Sequence, residues 1–327
     1  MPMVDPFTPD AFTLQSLTAA INNLPYQPGR IGQLGLFNET GVATRNISIE
    51  SRDGQLLLMP VKPVGADGTP ITGNDRKAHP FVIPHIPARA TITADEVQGV
   101  RVFGSENQAE TVQMKVNERL ATMRNSLEYT VESHRVSAIK GQAIDANGGT
   151  IDLFAEFGVT QQVVTMGLST TGNSAIRQKM FNVKQAIRGA LGGTPFGGIR
   201  VFCGDNFWAA LLEDKDTKAT YLNQAQAAEL RGDPSDSFAA FGAIWEHYEG
   251  TTDANFGADA YAVPVGVPDL FLTRFAPANY NETVNTIGLP YYAKAEPMKF
   301  NKGFELEGQS NPFNICTRPA SVIRLVI

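Results

Sequence analysis

Four histidines and two cysteines are the residues with which this chain could do metal or covalent chemistry, and their settings favour packing for nearly all of them. His79 and His85 stand six apart in HPFVIPH. A metal held there would need further ligands, and the stretch between them offers no Cys or acid, so a surface or interface role is expected. His134 falls on or beside the apolar stripe of a long helix, where packing is expected. His247 lies in Trp245-Glu246-His247-Tyr248-Glu249. In a strand, Glu249 shares its face and could pair with it, while Glu246 and Tyr248 point the other way. Cys203 precedes Gly204-Asp205, a place where a helix N-terminus could activate a thiol. The apolar residues before it predict a packed thiol instead, and Cys316 in FNICTRP reads the same way.

Gly-x-Ser-x-Gly, Walker, Gly-x-Gly-x-x-Gly and His-Glu-x-x-His motifs are all missing. No catalytic, cofactor or metal site is therefore expected, and the chain is not expected to be an enzyme. One group has ligand chemistry of another kind. Arg177, Lys179, Lys184 and Arg188 fall in a segment, 174–191, that holds no acid. Four cations on one short helix suit a loose, sequence-blind contact with a concentrated polyanion, or a solvated face beside an acidic neighbour.

The elements that would carry these residues follow from periodicity. Residues 105–140 contain no Pro, and Val112, Val116, Leu120, Met123, Leu127, Val131 and Ile139 recur at helical spacing. About 34 residues of helix would reach roughly 50 Å. Ser105 and Gln108 suit a capping box. Glu106, Glu110, Lys115, Glu118, Arg119, Arg124, Glu128, Glu132 and Arg135 form its other face, whose charges cancel; a solvated or partner-facing surface is expected there. A second helix is expected at 174–191, with Ile176, Met180, Val183, Ile187 and Leu191 as its stripe, Thr171 or Asn173 as its cap, and Gly192-Gly193 as its end.

Before the long helix, residues 1–38 read as a proline-broken arm. Phe12, Leu14, Leu17, Ala20 and Ile21 form one short amphipathic helix within it, and it should lie on the body of its own subunit or a neighbour. Residues 39–94 read as a long β-hairpin with a turn-rich tip at 64–75. Prolines at 80, 84 and 87 suit an exposed ribbon, which needs a partner surface to be stable. Residues 139–164 look hairpin-like, turning at Asn147-Gly148-Gly149. After residue 195 come a strand running into a helix capped by Asp205, a polar helix around 222–230, a strand near 241–248, and a closing strand at 320–327.

Bulk composition suits a chain that buries surface against other subunits, a trait many enzymes share. Charged residues make up 18% of the 327, below the ~25% usual for soluble domains. The net charge of −6 sits almost wholly in residues 195–300, which hold 14 acids against 7 bases. The first residues, MPMVDPFTPDAF, show no signal-peptide pattern, and no apolar run approaches a membrane span.

The order of arm, ribbon, long helix, shorter helix, acidic strand–helix unit and closing strand resembles the Hong Kong 97-type fold of tailed-phage major capsid proteins. Two strings narrow the resemblance to the lambda-type major capsid protein E family: PANYNETVNTIGLPYYAK at 277–294, and NKGFELEGQSNP at 301–312 followed by Thr317-Arg318-Pro319. The resemblance covers nearly the whole chain and brings no catalytic residue with it. It implies an α+β fold with an N-terminal arm at 1–38, an extended β-hairpin loop at 39–94, and a peripheral domain with its spine helix at 95–194. It also implies an axial domain at 195–302 and a C-terminal strand, 303–327, returning to the peripheral domain. It implies pentamers and hexamers in an icosahedral shell around double-stranded DNA, assembled in the host cytoplasm without membrane or cofactor. Scaffolding protein, portal and decoration protein would be the partners. A soluble α/β enzyme with its catalytic domain at 195–300 and another virion component, such as a tail or decoration protein, are the competing readings.

Overall fold

The computed structural model describes residues 13–24, 29–52, 76–97, 112–172, 174–220, 237–250 and 255–327. The expected capping box at 105–108, the ribbon tip, and the polar helix around 222–230 lie outside them. Among the described residues helices and strands are mixed, in three cores.

The first core is built on the leading half of the long helix, Val112–Ile139. Val116, Leu120, Met123 and Leu127 bury against a three-stranded antiparallel sheet of Tyr292–Pro297, Gly303–Ser310 and Ile86–Thr93. The arm helix, Leu14–Asn23, adds Leu17 and Ile21 to the same core, and Thr13 caps it by accepting the Ser16 N–H at 3.3 Å. Pro87 sits in an outer strand of this sheet, where its missing N–H costs no ladder bond.

The second core lies under the trailing half of the helix, where Val136, Ala138 and Ile139 meet Phe37, Phe271, Phe313 and Ile315. Those come from a sheet in which Phe37–Gly41 runs parallel to Phe271–Phe275, itself antiparallel to Pro312–Cys316. The expected ribbon is therefore shorter than 39–94. Among the described residues, Asn46–Arg52 and Arg76–Val82 are the strands of it that pair with each other; both flanking strands pair elsewhere in the chain. Its root does not wait for a neighbour, because Ile49, Phe81 and Ile83 are buried in this core. The small hairpin Gln142–Ile144 with Thr150–Asp152 turns as expected, its Asp145 carboxylate accepting the N–H groups of Asn147 and Gly149 at 2.8 and 2.7 Å.

The third core is a six-stranded sheet in the order 163–165, 323–326, 260–265, 198–203, 243–247, 237–240. Helices Ile176–Ala190 and Asp205–Glu213 cover one face. Ile199, Val201 and Cys203 point to those helices, while Phe202 points to the second core. Successive side chains alternate between faces that are both covered, which is why the strand reads as an almost unbroken apolar run. The closing strand, Ile323–Val326, lies between Val163–Thr165 and Ala260–Val265, so this core crosses the expected limits at 194 and 302.

Three sequence expectations are corrected at this level. The charged face of the long helix is not solvated along its length: Arg124, Glu128, Glu132 and Arg135 are each at most 6% exposed. The arm of the same chain lies along that face and takes hydrogen bonds of Arg124 and Glu132, while Glu128 pairs with Arg124 and Arg135 with Glu39. Thr171 does not cap the second helix. Ala175 precedes it at φ 48°, without a side-chain cap, and its N–H donates to Asp216 at 3.2 Å. Asp205 is the first residue of its helix and not the cap. Gly204 holds that place, because a Cβ there would come 2.0 Å from the Gly257 carbonyl oxygen.

Candidate assembly and polyanion-facing surfaces

The residues singled out for chemistry resolve into structural roles. The His79 Nδ1 lies 2.9 Å from Glu156, and its ring meets Phe157 edge-on, tying the ribbon root to the short helix Leu153–Phe157. The His85 Nδ1 lies 2.8 Å from the Asn311 side-chain oxygen. His134 is half-buried, and burial lowers its pKa to about 4. His247 pairs through Nε2 with Asp205 at 2.9 Å and stacks on Trp208; Glu249 is not its partner. Burial pushes both thiols up, Cys203 well above the ordinary value and Cys316 to about 12, so neither is an activated nucleophile. Among the described residues no three of His, Cys, Asp and Glu stand close enough to share a metal, and no helix is long and apolar enough to cross a membrane.

What the long helix does hold is the arm. Arg124 pairs with Glu128 one turn away at 2.7 Å and donates to the carbonyls of Ile21 and Leu24, with Tyr291 against its guanidinium. Glu132 accepts the N–H groups of Ile31 and Gly32 and the Tyr248 hydroxyl. Arg135 pairs with Glu39 and lies over the Phe37 ring. Further along, Glu246 is buried between Arg30 and Arg200 and so links the arm to the six-stranded sheet. Burying a charge is costly unless it is compensated: Arg124, Glu128, Arg135 and Glu246 stand in ion pairs, and Glu132 is held by three hydrogen bonds. The helix is thus clamped on two sides, apolar on one and ionic on the other.

The cationic group divides. At 3.6 residues per turn, Arg177, Lys184 and Arg188 line one flank of helix Ile176–Ala190 and are exposed, without ion pairs among the described residues. Phe181 stands in the same row and is 55% exposed. Sequence reasoning passed over it, although its spacing of four from Arg177 and three from Lys184 is visible in the chain. Lys179 falls on the opposite flank, where its ammonium donates to the Met166 carbonyl at 2.6 Å and fastens the helix to the segment that follows strand 163–165.

Elsewhere, exposed apolar side chains concentrate at Val284, Ile287 and Leu289 in the loop after the 3-10 turn Asn281–Thr283, and at Phe300 in the turn between strands 292–297 and 303–310. Both lie in or beside the strings that carried the family resemblance.

Residues 13–327 match the family model described as phage major capsid protein E. The chain is 24% identical over 338 residues to the major capsid protein of Pseudomonas phage KPP10, with 96% of each chain covered. It is 22% identical over 353 residues to the major capsid protein of Salmonella phage Felix O1, with 95% of each covered. Among solved structures, the capsid of an empty GTA particle superposes with a TM-score of 0.55 at 11% identity, covering 99% of this chain and 94% of that one.

Proposed function

The chain belongs to the phage major capsid protein E family, and from that premise we propose the part that each segment plays in a phage head. The protein is a major capsid protein with the Hong Kong 97-type α+β fold, a component of the head shell of a tailed phage. The match across residues 13–327 is the single observation that carries this.

The extended loop at 39–94 would lie over an adjacent subunit, anchored at its root by Ile49, Phe81 and Ile83. The spine helix, with its clamped arm and the hairpin at 292–310, would form the stiff peripheral unit. The six-stranded sheet and helices 176–190 and 205–213 would form the axial unit. The core they share supports starting that unit before the expected residue 195. Five or six such units converging at an axis would repel one another through the acidity of residues 195–300, and salt or cations would ease closure. Each contact need be no larger than an ordinary interface of roughly 1,600 Å² to hold a closed lattice.

Arg177, Lys184 and Arg188 would face packaged double-stranded DNA, with Lys179 serving the fold. Their exposure and lack of acid partners support this. A scaffolding protein, a portal and a decoration protein would be the other partners, and assembly would take place in the host cytoplasm before the shell enters the virion. Nothing in this work of enclosure calls for catalysis. Electron microscopy of the purified chain tests the reading: closed shells or capsomer rings support it, and a monodisperse small oligomer contradicts it.

A further inference from the structure

We propose that the turn at residues 298–302 is an anchor by which one copy of this chain grips a second, with the Phe300 ring as the side chain buried in the contact. The inference rests on the shell-building reading above and adds to it a named contact.

Phe300 is 90% exposed, more than any other large apolar residue described. It also sits at φ 63°, followed by Asn301 at φ 53°. A bulky side chain in the left-handed region is unfavourable, and a ring in water is unfavourable too. Neither cost is offset by a packing contact of the ring within the described subunit. Strain of this kind persists where the surroundings hold it and a function uses it.

The surroundings do hold it. The Met298 N–H donates to the Gly303 carbonyl at 2.9 Å, Asn301 to Met298 at 3.0 Å, and Ala94, which follows the adjoining strand, to Lys302 at 3.0 Å. At Gly303, φ is 150° and a Cβ would come 2.1 Å from the Ile92 oxygen, so backbone packs directly on backbone at the base of the turn. A rigid stalk loses little freedom on docking, and a central aromatic flanked by polar residues is the usual make-up of an interface hot spot.

Charge indicates the occupant. Lys299 and Lys302 flank the ring, the Lys302 ammonium lying 6.0 Å from its centroid, and neither has an ion pair among the described residues. The complementary surface is apolar with carboxylates around it. This chain supplies acidity in excess, 14 acids against 7 bases over residues 195–300. A second copy therefore offers what the turn lacks.

The test compares the full-length wild type with Phe300→Gly and Phe300→Tyr. Thermal melting is read on unassembled subunits, and the threshold concentration for assembly by light scattering. Glycine relieves the positive φ and removes the ring. Phe300→Gly should therefore melt at or above the wild-type temperature, yet raise the assembly threshold by about tenfold or more. Phe300→Tyr, which keeps the ring, should stay near wild type. Wild-type shells together with an unchanged Phe300→Gly threshold overturn the anchor alone. A lower melting temperature for Phe300→Gly also overturns it, since the ring would then be packing within its own subunit. Normal assembly with poor DNA filling would assign the ring to nucleic acid and overturn it as well. Failure of the wild type to assemble at all overturns both this and the shell reading.

Discussion

The backbone N–H of Ile31 donates to a carboxylate oxygen of Glu132 at 2.7 Å, joining the arm to the spine helix across 101 positions of sequence. The second oxygen of Glu132 accepts from Gly32 at 3.2 Å, and the Tyr248 hydroxyl donates to the first at 3.2 Å. Glu132 thus stands between the arm, the spine and the end of strand 243–247. A Cβ on Gly29 would come 2.3 Å from the Glu132 carboxyl carbon, so glycine is what permits so close an approach.

Replacing Glu132 with Ala should cost about 2–3 kcal/mol, since three donors lose a charged acceptor in a buried place. Urea denaturation of unassembled subunits measures this. Gly29→Ala should cost a comparable amount alone and much less in the Glu132→Ala background, where its added methyl has room. Additive losses in that double-mutant cycle would separate the two residues energetically.

His134 gives the subunit a dependence on acidity. Its folded pKa of about 4 lies below the ordinary histidine value of 6.5, so the unfolded chain binds its proton first as pH falls. Its contribution is complete above 6.5 and is lost progressively towards 4. Between pH 7 and pH 5 the wild type should lose about 1–2 kcal/mol more stability than His134→Gln. Parallel stability–pH curves for the two proteins would remove the histidine from the account.

Neutralising Arg177, Lys184 and Arg188 together to Gln should leave empty shells intact and impair DNA filling, measured by the ratio of full to empty particles. Loss of the empty shells would mark these residues as structural. Lys179→Met should behave differently: its bond to the Met166 carbonyl makes it a stability residue, so melting should fall while filling per shell is kept.

Assembly should depend on ionic strength. Screening shortens the range of repulsion to about 10 Å at 0.1 M salt, so the threshold concentration should fall as salt rises from low levels. A threshold indifferent to salt would show that the acidity of residues 195–300 is already neutralised within the subunit.

Periodicity carried much of this fold. The spine helix, the arm helix and the helix at 176–190 were legible because their apolar stripes repeat at helical spacing. The fate of the second face of the spine was not. Arg124, Glu128, Glu132 and Arg135 are the residue types that water usually takes, and only the folded-back arm turns them into buried anchors. Strand partners were hidden for a related reason. Residues 39–41 and the strand Ile86–Thr93 both fall in the stretch that reads as one ribbon, but each pairs with a strand more than two hundred residues away. Local alternation records which side of a strand is buried and not which strand lies beside it. The basic row at 177–188 was readable, whereas Phe300 was not: its exposure and backbone strain exist only once the turn is closed.

Sedimentation and electron microscopy of the purified chain over rising concentration test the central claim most directly. The account predicts capsomer-sized rings or closed shells in place of the 35.3 kDa subunit as concentration increases. A compact monomer that stays monodisperse at the highest concentrations would contradict it.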